Sequence, residues 1–205
     1  MGLAKIKTKP AYTFAEYLAI DRESAERYEY LDGEIYLMAG ESGAHGDICM
    51  NLAIAFGNQT KGTGCRGRIK DTKVLSGAAA QNTASPKGMF SYPDLVVICG
   101  PPQYHDKHED VVVNPKLIIE VLSESTESFD RGEKFIRYRM WNSTLTDYLL
   151  VSQTAPLVEH YIKQSDGSWL LREYRGLETS FRIETIAADL NLADIYDRIE
   201  FDNDL

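Results

Sequence analysis

Two carboxylates and one amine in this chain have the types and the spacing to do chemistry together. Asp94 follows Pro93 at the mouth of an apolar run, LVVIC, and Glu120 stands 26 residues later inside another, LIIEVL. A short β-branched run opening just after a proline reads as a strand buried on both faces. An ionised carboxylate there is costly unless a cation or hydrogen-bond donors meet it. If the two strands are neighbours, Asp94 and Glu120 converge on one edge of a sheet. Two close carboxylates raise each other's pKa unless a cation lies between them. Hard divalent ions such as Mg2+ and Mn2+ take oxygen ligands.

Strand alternation puts Ile118, Glu120 and Leu122 on one face. A lysine two residues after the glutamate would stand beside it, but that position is Leu122. The strand therefore offers no cation of its own; the next helix does. At about 100° per residue, Asp130, Lys134, Arg137, Tyr138 and Trp141 fall on one side, and Phe129, Ile136 and Met140 form an apolar flank. Lys134, its stem set among Tyr138 and Trp141, can extend its amine over Leu122 to Glu120. The expectation is that Glu120 meets a metal ion and Lys134 together. A Glu120–Lys134 ion pair without metal is the alternative.

Several elements must position these residues. Thr13-Phe-Ala-Glu16 is a capping box opening a short helix, TFAEYLAIDRESA. RYEYLDGEIYLM reads as two strands around Asp32-Gly33. Residues 44–60 place Ile48, Leu52, Ala55 and Phe56 at helical spacing. GRIKDTKVLSG reads as one strand with polar alternation, AAAQNTASPKGMFSY as a small-residue loop, and PPQYHDKHEDVVVN as a polar loop. The Lys134 helix begins after Ser125 and ends near Asn142. DYLLVSQ, LVEHYIKQ and SWLLREYRG are further strands, the last two turned at Asp166-Gly167, and NLADIYDRI is a closing helix. Without repeats or linkers, residues 1–205 read as a single α/β domain, a central mixed β-sheet flanked by helices.

The chain's 205 residues, 43% of them hydrophobic, suffice for a core. A net charge of −9 argues against a protein living on non-specific phosphate contacts. It is compatible with an enzyme whose acidic groups hold metal while basic residues line one cleft. Cys49, Cys65 and Cys99 are odd in number and not spaced as metal pairs, so they read as free thiols in a reducing compartment, with Cys99 a core residue at a strand end. No apolar run approaches the roughly 18 residues of a membrane span. MGLAKIKTKP lacks a signal-peptide core and a myristoylation pattern. The expectation is a cytoplasmic protein with no membrane partner. No phosphate-binding glycine loop is present, and Ser123 and Ser125 lack the base and elbow of a serine hydrolase. His105 and His108 read as solvent-facing.

Pro93-Asp94 followed by Glu120-Val121-Leu122 resembles the PD-(D/E)xK nuclease pattern with its lysine displaced to the next helix. More narrowly, YEYLDGEIYLMAGESGAH, YPDLVVIC, PKLIIEVLSEST, DRGEKFIRY and DYLLVSQ, in that order across about residues 12–200, resemble the Uma2 endonuclease family, formerly domain of unknown function 820. The resemblance implies a restriction-endonuclease-like fold, a divalent cofactor (Mg2+ or Mn2+) and hydrolysis of DNA phosphodiester bonds. Carried over, Asp94 and Glu120 would be metal ligands with the Val121 backbone carbonyl as a third. Lys134 would orient the attacking water and offset developing charge. Glu29 and His45 also fall on family-pattern positions, although Glu29 could simply face solvent and His45 could be a helix-terminus or packing residue. Tyr138, one turn past Lys134, is either an accessory hydrogen-bonding group or core. Leu122 departs from the wider pattern, whereas a lysine on the following helix is what the narrower family shows.

DNA as partner comes from this resemblance, and a homodimer would serve cutting of both strands. The rival is a non-catalytic nucleic-acid- or protein-binding module that retains the nuclease fold. Sugar hydrolysis by the carboxylate pair is disfavoured by the nearby lysine.

Overall fold

A computed structural model of the chain describes residues 4–6, 11–78 and 87–201. After a short strand β1 (Ala4–Ile6), α1 (Phe14–Glu23) opens on the expected capping box, with the Thr13 hydroxyl accepting from the Glu16 N–H and the Glu16 carboxylate from the Thr13 N–H. Strands β2 (Tyr28–Leu31) and β3 (Glu34–Leu37) turn at Asp32 (φ 46°) and Gly33 (φ 95°), the paired positive φ values that suit a tight hairpin. Helix α2 (Gly43–Thr60) buries Ile48, Leu52 and Phe56 along one stripe. Next come β4 (Cys65–Ile69), β5 (Lys73–Gly77), β6 (Gly88–Ser91), β7 (Leu95–Cys99), β8 (Val111–Val112) and β9 (Leu117–Val121).

A continuous helical segment follows: α3 (Glu127–Phe129), a π-helical turn (Asp130–Lys134) and α4 (Phe135–Trp141). Strands β10 (Asp147–Val151), β11 (Leu157–Lys163) and β12 (Trp169–Arg175) precede a hairpin of β13 (Ser180–Ile183) and β14 (Ala188–Asn191), and α5 (Leu192–Ile195) closes the described chain.

One six-stranded sheet has the order β1-β3-β2-β6-β5-β8 and a second β12-β11-β10-β9-β7-β4. In the second, β9 runs antiparallel to β7 and parallel to β10; the parallel crossover needs a connection of a dozen or more residues, and the Lys134 helix supplies it. One face packs Leu117, Ile119 and Val121 with α2, α5 and the β13–β14 hairpin. The other packs Ile118 and Leu122 with Phe135 and Tyr138 of α4 and with Val74 and Met89 of the first sheet. Glu120 belongs to this second face, as alternation predicts. No helix among the described residues is long and apolar enough to cross a membrane.

Five local expectations are corrected. GRIKDTKVLSG is two strands, because Lys70 takes φ 52° and the Asp71 N–H turns back to the Ile69 carbonyl. The small-residue loop ends in β6, and the polar loop holds β8, whose Val112 bridges Tyr104; residues 79–86 of the first loop lie outside the described residues. The closing helix is a single turn, and β13–β14 went unread. Cys65 and Cys99 stand opposite in the β4–β7 ladder and are joined as a disulfide, which leaves Cys49 as the free thiol.

Asn142 ties the end of α4 to the first sheet. Its amide donates to the Leu75 carbonyl at 2.9 Å and its oxygen accepts from Ser76 Oγ at 2.6 Å, all buried. Asn142→Ala would strand both partners, so urea unfolding is expected to show a loss of about 2–4 kcal/mol; a loss within error would show that the two sheets are held together without it.

Candidate active site

Glu120 is 3% exposed in the middle of β9, opposite Leu150 of β10. Its Oε1 lies 3.0 Å from Lys134 Nζ and accepts from the Tyr138 hydroxyl at 2.9 Å. Since that hydroxyl has one proton and spends it on Glu120, Ser91 Oγ, 2.8 Å away, donates to Tyr138. Lys134 Nζ also lies 3.2 Å from Asp130 Oδ1 and 3.7 Å from Glu29 Oε1. Glu29 is anchored by the Tyr92 N–H at 3.0 Å. The π turn carries both Asp130 and Lys134, and the Tyr148 hydroxyl fastens it by donating to the Asp130 carbonyl at 2.9 Å. Asp130 Oδ1 is buried without an aligned hydrogen bond among the described residues.

The inward side of this helix is therefore Asp130, Lys134, Phe135 and Tyr138. The expected apolar flank is corrected: Ile136 and Met140 are exposed, as is Trp141. The site itself occupies the inward face, and Phe135 supplies the packing by stacking on Tyr148 at 4.9 Å.

Asp94 stands just before β7. Its Oδ2 accepts from the Val121 N–H and its Oδ1 faces His45 Nε2, both at 2.8 Å. The tautomer of His45 follows from its neighbours. The Leu122 carbonyl can only accept, so Gln153 must turn Nε2 toward it (2.7 Å), and the same NH2 group faces His45 Nδ1 at 3.2 Å. Nδ1 therefore accepts, and the proton on Nε2 is donated to Asp94. Ser42 completes the chain, donating to Gln153 Oε1 at 2.7 Å and capping α2 by accepting from the His45 N–H.

Charge is unevenly shared. Glu29, Glu120 and Asp130 surround one lysine, and Asp94 lines the same cleft. Burial pushes the Glu120 carboxyl well up; Lys134 opposes this, while Asp130, Asp94 and Glu29 add to it. Burial works against the Lys134 ammonium, yet Asp130, Glu120 and Glu29 outweigh it and raise its pKa. Burial also opposes the Asp94 carboxylate, but the His45 ring, the Val121 N–H and Lys134 together hold its carboxyl below the usual range. These groups lie in a cleft of about 1030 Å3, lined also by Arg27, Lys70 and Gln153.

Two donor sets could hold a metal. Asp94, Glu120 and Glu29 line one cleft and offer carboxylate oxygens, the ligand type a hard divalent cation prefers. Glu41, His45 and Cys49 bring ligand atoms within 4.8 Å of one another. That mixed set fits less well: His45 Nε2 holds the proton given to Asp94, and burial, with Asp94 beside it, pushes the Cys49 thiol up, away from the thiolate a metal requires.

The structure thus brings together Asp94, Glu120, Lys134, Glu29, His45 and Tyr138, and Val121 enters through its N–H. Sequence reasoning missed Gln153 and Asp130. Asp130 had a signal, one turn before Lys134; Gln153 closes the DYLLVSQ stretch, but its contacts with His45 and Leu122 arise only through strand pairing.

The model of the Uma2 family, described as "Putative restriction endonuclease", matches residues 14–194. An uncharacterized protein of Synechocystis sp. is 36% identical over 184 residues, 90% of each chain. The chain belongs to the Uma2 family. A second uncharacterized Synechocystis protein is 34% identical over 171 residues, covering 83% of this chain and 92% of its own. The fold of this Uma2 chain matches the crystal structure of "a putative nuclease belonging to DUF820" from Anabaena variabilis, with TM-score 0.71 and 15% identity over 92% of this chain and 99% of that one. The mixed α/β, nuclease-like fold read from the sequence is the fold found.

A carboxyl whose folded pKa is raised favours the folded state at low pH. That contribution is lost as pH climbs from about 4.3, the ordinary glutamate value, through the raised value. In metal-free buffer Glu120→Gln is therefore expected to melt above wild type at about pH 8, with the gap closing toward about pH 4; a variant melting lower at both would show a net stabilising charge. Long-range 1H–15N spectra should find His45 protonated on Nε2, and Gln153→Glu should move the proton to Nδ1 or add one there. A wild-type Nδ1–H tautomer would refute the assignment.

Proposed function

We propose that this chain is a metal-dependent endonuclease that hydrolyses DNA phosphodiester bonds, through a PD-(D/E)xK-type site with the lysine displaced to the following helix. The observation that carries the reading is the Lys134 amine 3.0 Å from Glu120 on the floor of the cleft that also holds Asp94. Mg2+ or Mn2+, held by Asp94, Glu120 and the Val121 carbonyl, would polarise the phosphoryl group and lower the pKa of the attacking water.

The chain's own residues divide the remaining tasks. Lys134 orients the water and offsets negative charge gathering on the phosphoryl oxygens. Tyr138 holds one Glu120 oxygen, leaving the other for a ligand. Glu29 and Asp130 keep Lys134 protonated, so it acts as a cation and donor. His45 and the Val121 N–H fix both Asp94 oxygens, so the carboxylate cannot rotate away. Two copies about a two-fold axis would present one such cleft to each strand of a duplex.

Calorimetric titration of Mg2+ and Mn2+ tests the first step: binding is expected in wild type and absent in Asp94→Ala. Wild type is then expected to nick and linearise supercoiled DNA, and Lys134→Met to do so at least about a hundredfold more slowly with its fold intact by circular dichroism. Full cleavage by both variants would refute the reading. Duplex binding without metal uptake or turnover would favour a non-catalytic binding module.

A further inference from the structure

Residues 61–70, KGTGCRGRIK, hold four of the chain's 22 basic residues and none of its 31 acidic ones. Within this run β4 is an edge strand of the second sheet. Its register sets Arg66 opposite Ile98 and Arg68 opposite Val96, and those valine and isoleucine side chains pack with Ile118 and Leu122. Both arginines therefore rise from the sheet face that carries Glu120. Lys70, just beyond the strand, continues into the cleft, which it lines with Arg27, Asp94 and Glu120.

The three cations differ in how they are held. Arg66 is exposed and has no carboxylate partner among the described residues. Arg68 is set in place, its guanidinium 5.3 Å from the Tyr104 ring centroid and donating to the Tyr104 hydroxyl. Lys70 is paired with Glu41 at the cleft wall. Same-face neighbours on a strand are about 6.6–6.8 Å apart, near the axial advance of two nucleotides on one duplex strand at about 3.4 Å each.

We propose that Arg66, Arg68 and Lys70 form a track for the phosphate backbone of duplex DNA, running along the sheet edge into the cleft. The inference rests on the nuclease reading and says where its substrate lies. The contacts are to phosphates, so they position the duplex and carry no sequence preference.

The test is binding of fluorescently labelled duplexes of several sequences, read by anisotropy across a range of salt, with Ca2+ replacing Mg2+ so that the duplex stays whole. Removing one cation from a phosphate lowers the slope of log K against log salt by about 0.9. Arg66→Ala should lower it by about 1 and Arg66→Ala/Arg68→Ala by about 2, with the same weakening on every sequence. Arg66→Glu should weaken binding further. Arg66 is exposed and outside the packed clusters, so its variants should keep the wild-type melting temperature and Mg2+ titration. If wild type cuts duplex while the Arg66 variants bind with unchanged affinity and slope, the track is wrong and the nuclease reading stands. If wild type neither binds nor cuts duplex in Mg2+ or Mn2+, both fall.

Discussion

The Lys134 amine, buried among Glu120, Asp130 and Glu29, sets the terms for much of the architecture around it. A buried ion pair is tolerated only when its geometry is good and its remaining valences are met. Here one cation faces three carboxylates, so the protein must hold every partner still and keep water from entering at random. Tyr138, Ser91 and Tyr92 do the holding. Because these partners come from β6, α4 and the segment before β7, neither six-stranded sheet can form the site alone.

Strand order explains how distant residues meet. The antiparallel β7–β9 pair brings Asp94 to the Val121 N–H, and the parallel β9–β10 pair carries the chain on to Gln153 beside Leu122. The parallel step requires a helical crossover, and that helix bears Lys134. The connection that closes the sheet thus supplies the cation its central strand lacks. The π turn fits the same demand, since such turns often occur where a helix must re-aim side chains at a functional site.

Much of this was legible because the sequence breaks its own pattern at the site. A glutamate in LIIEVL contradicts burial, and the contradiction pointed to a partner; spacing along the next helix then pointed to Lys134 and Tyr138. The helical wheel set Trp141 beside Lys134 and gave the helix an apolar flank, but Trp141, Ile136 and Met140 are exposed, because polar groups occupy the inward side. Gln153 and the Cys65–Cys99 pairing were beyond reach, since each depends on a register between strands far apart in the chain. The β13–β14 strands escaped because their burial alternates over only four residues each, too short a run for periodicity to separate from a loop.

An acidic chain that handles a polyanion poses a physical problem, and distance resolves it. At physiological salt the Debye length is about 8 Å, so the net charge of −9 is largely screened before a duplex reaches the surface. What then counts is charge within a few ångströms of each phosphate, and there the β4 edge is cationic while the cleft floor is anionic. The floor would repel the scissile phosphate unless a divalent ion offset its carboxylates. In the proposed reading, metal uptake and substrate docking are therefore linked: the carboxylates that crowd the floor would bind the ion, and the ion would make the floor acceptable to DNA. The same linkage would restrain a metal-free protein from holding nucleic acid deep in the cleft, while leaving the edge strand free to touch it.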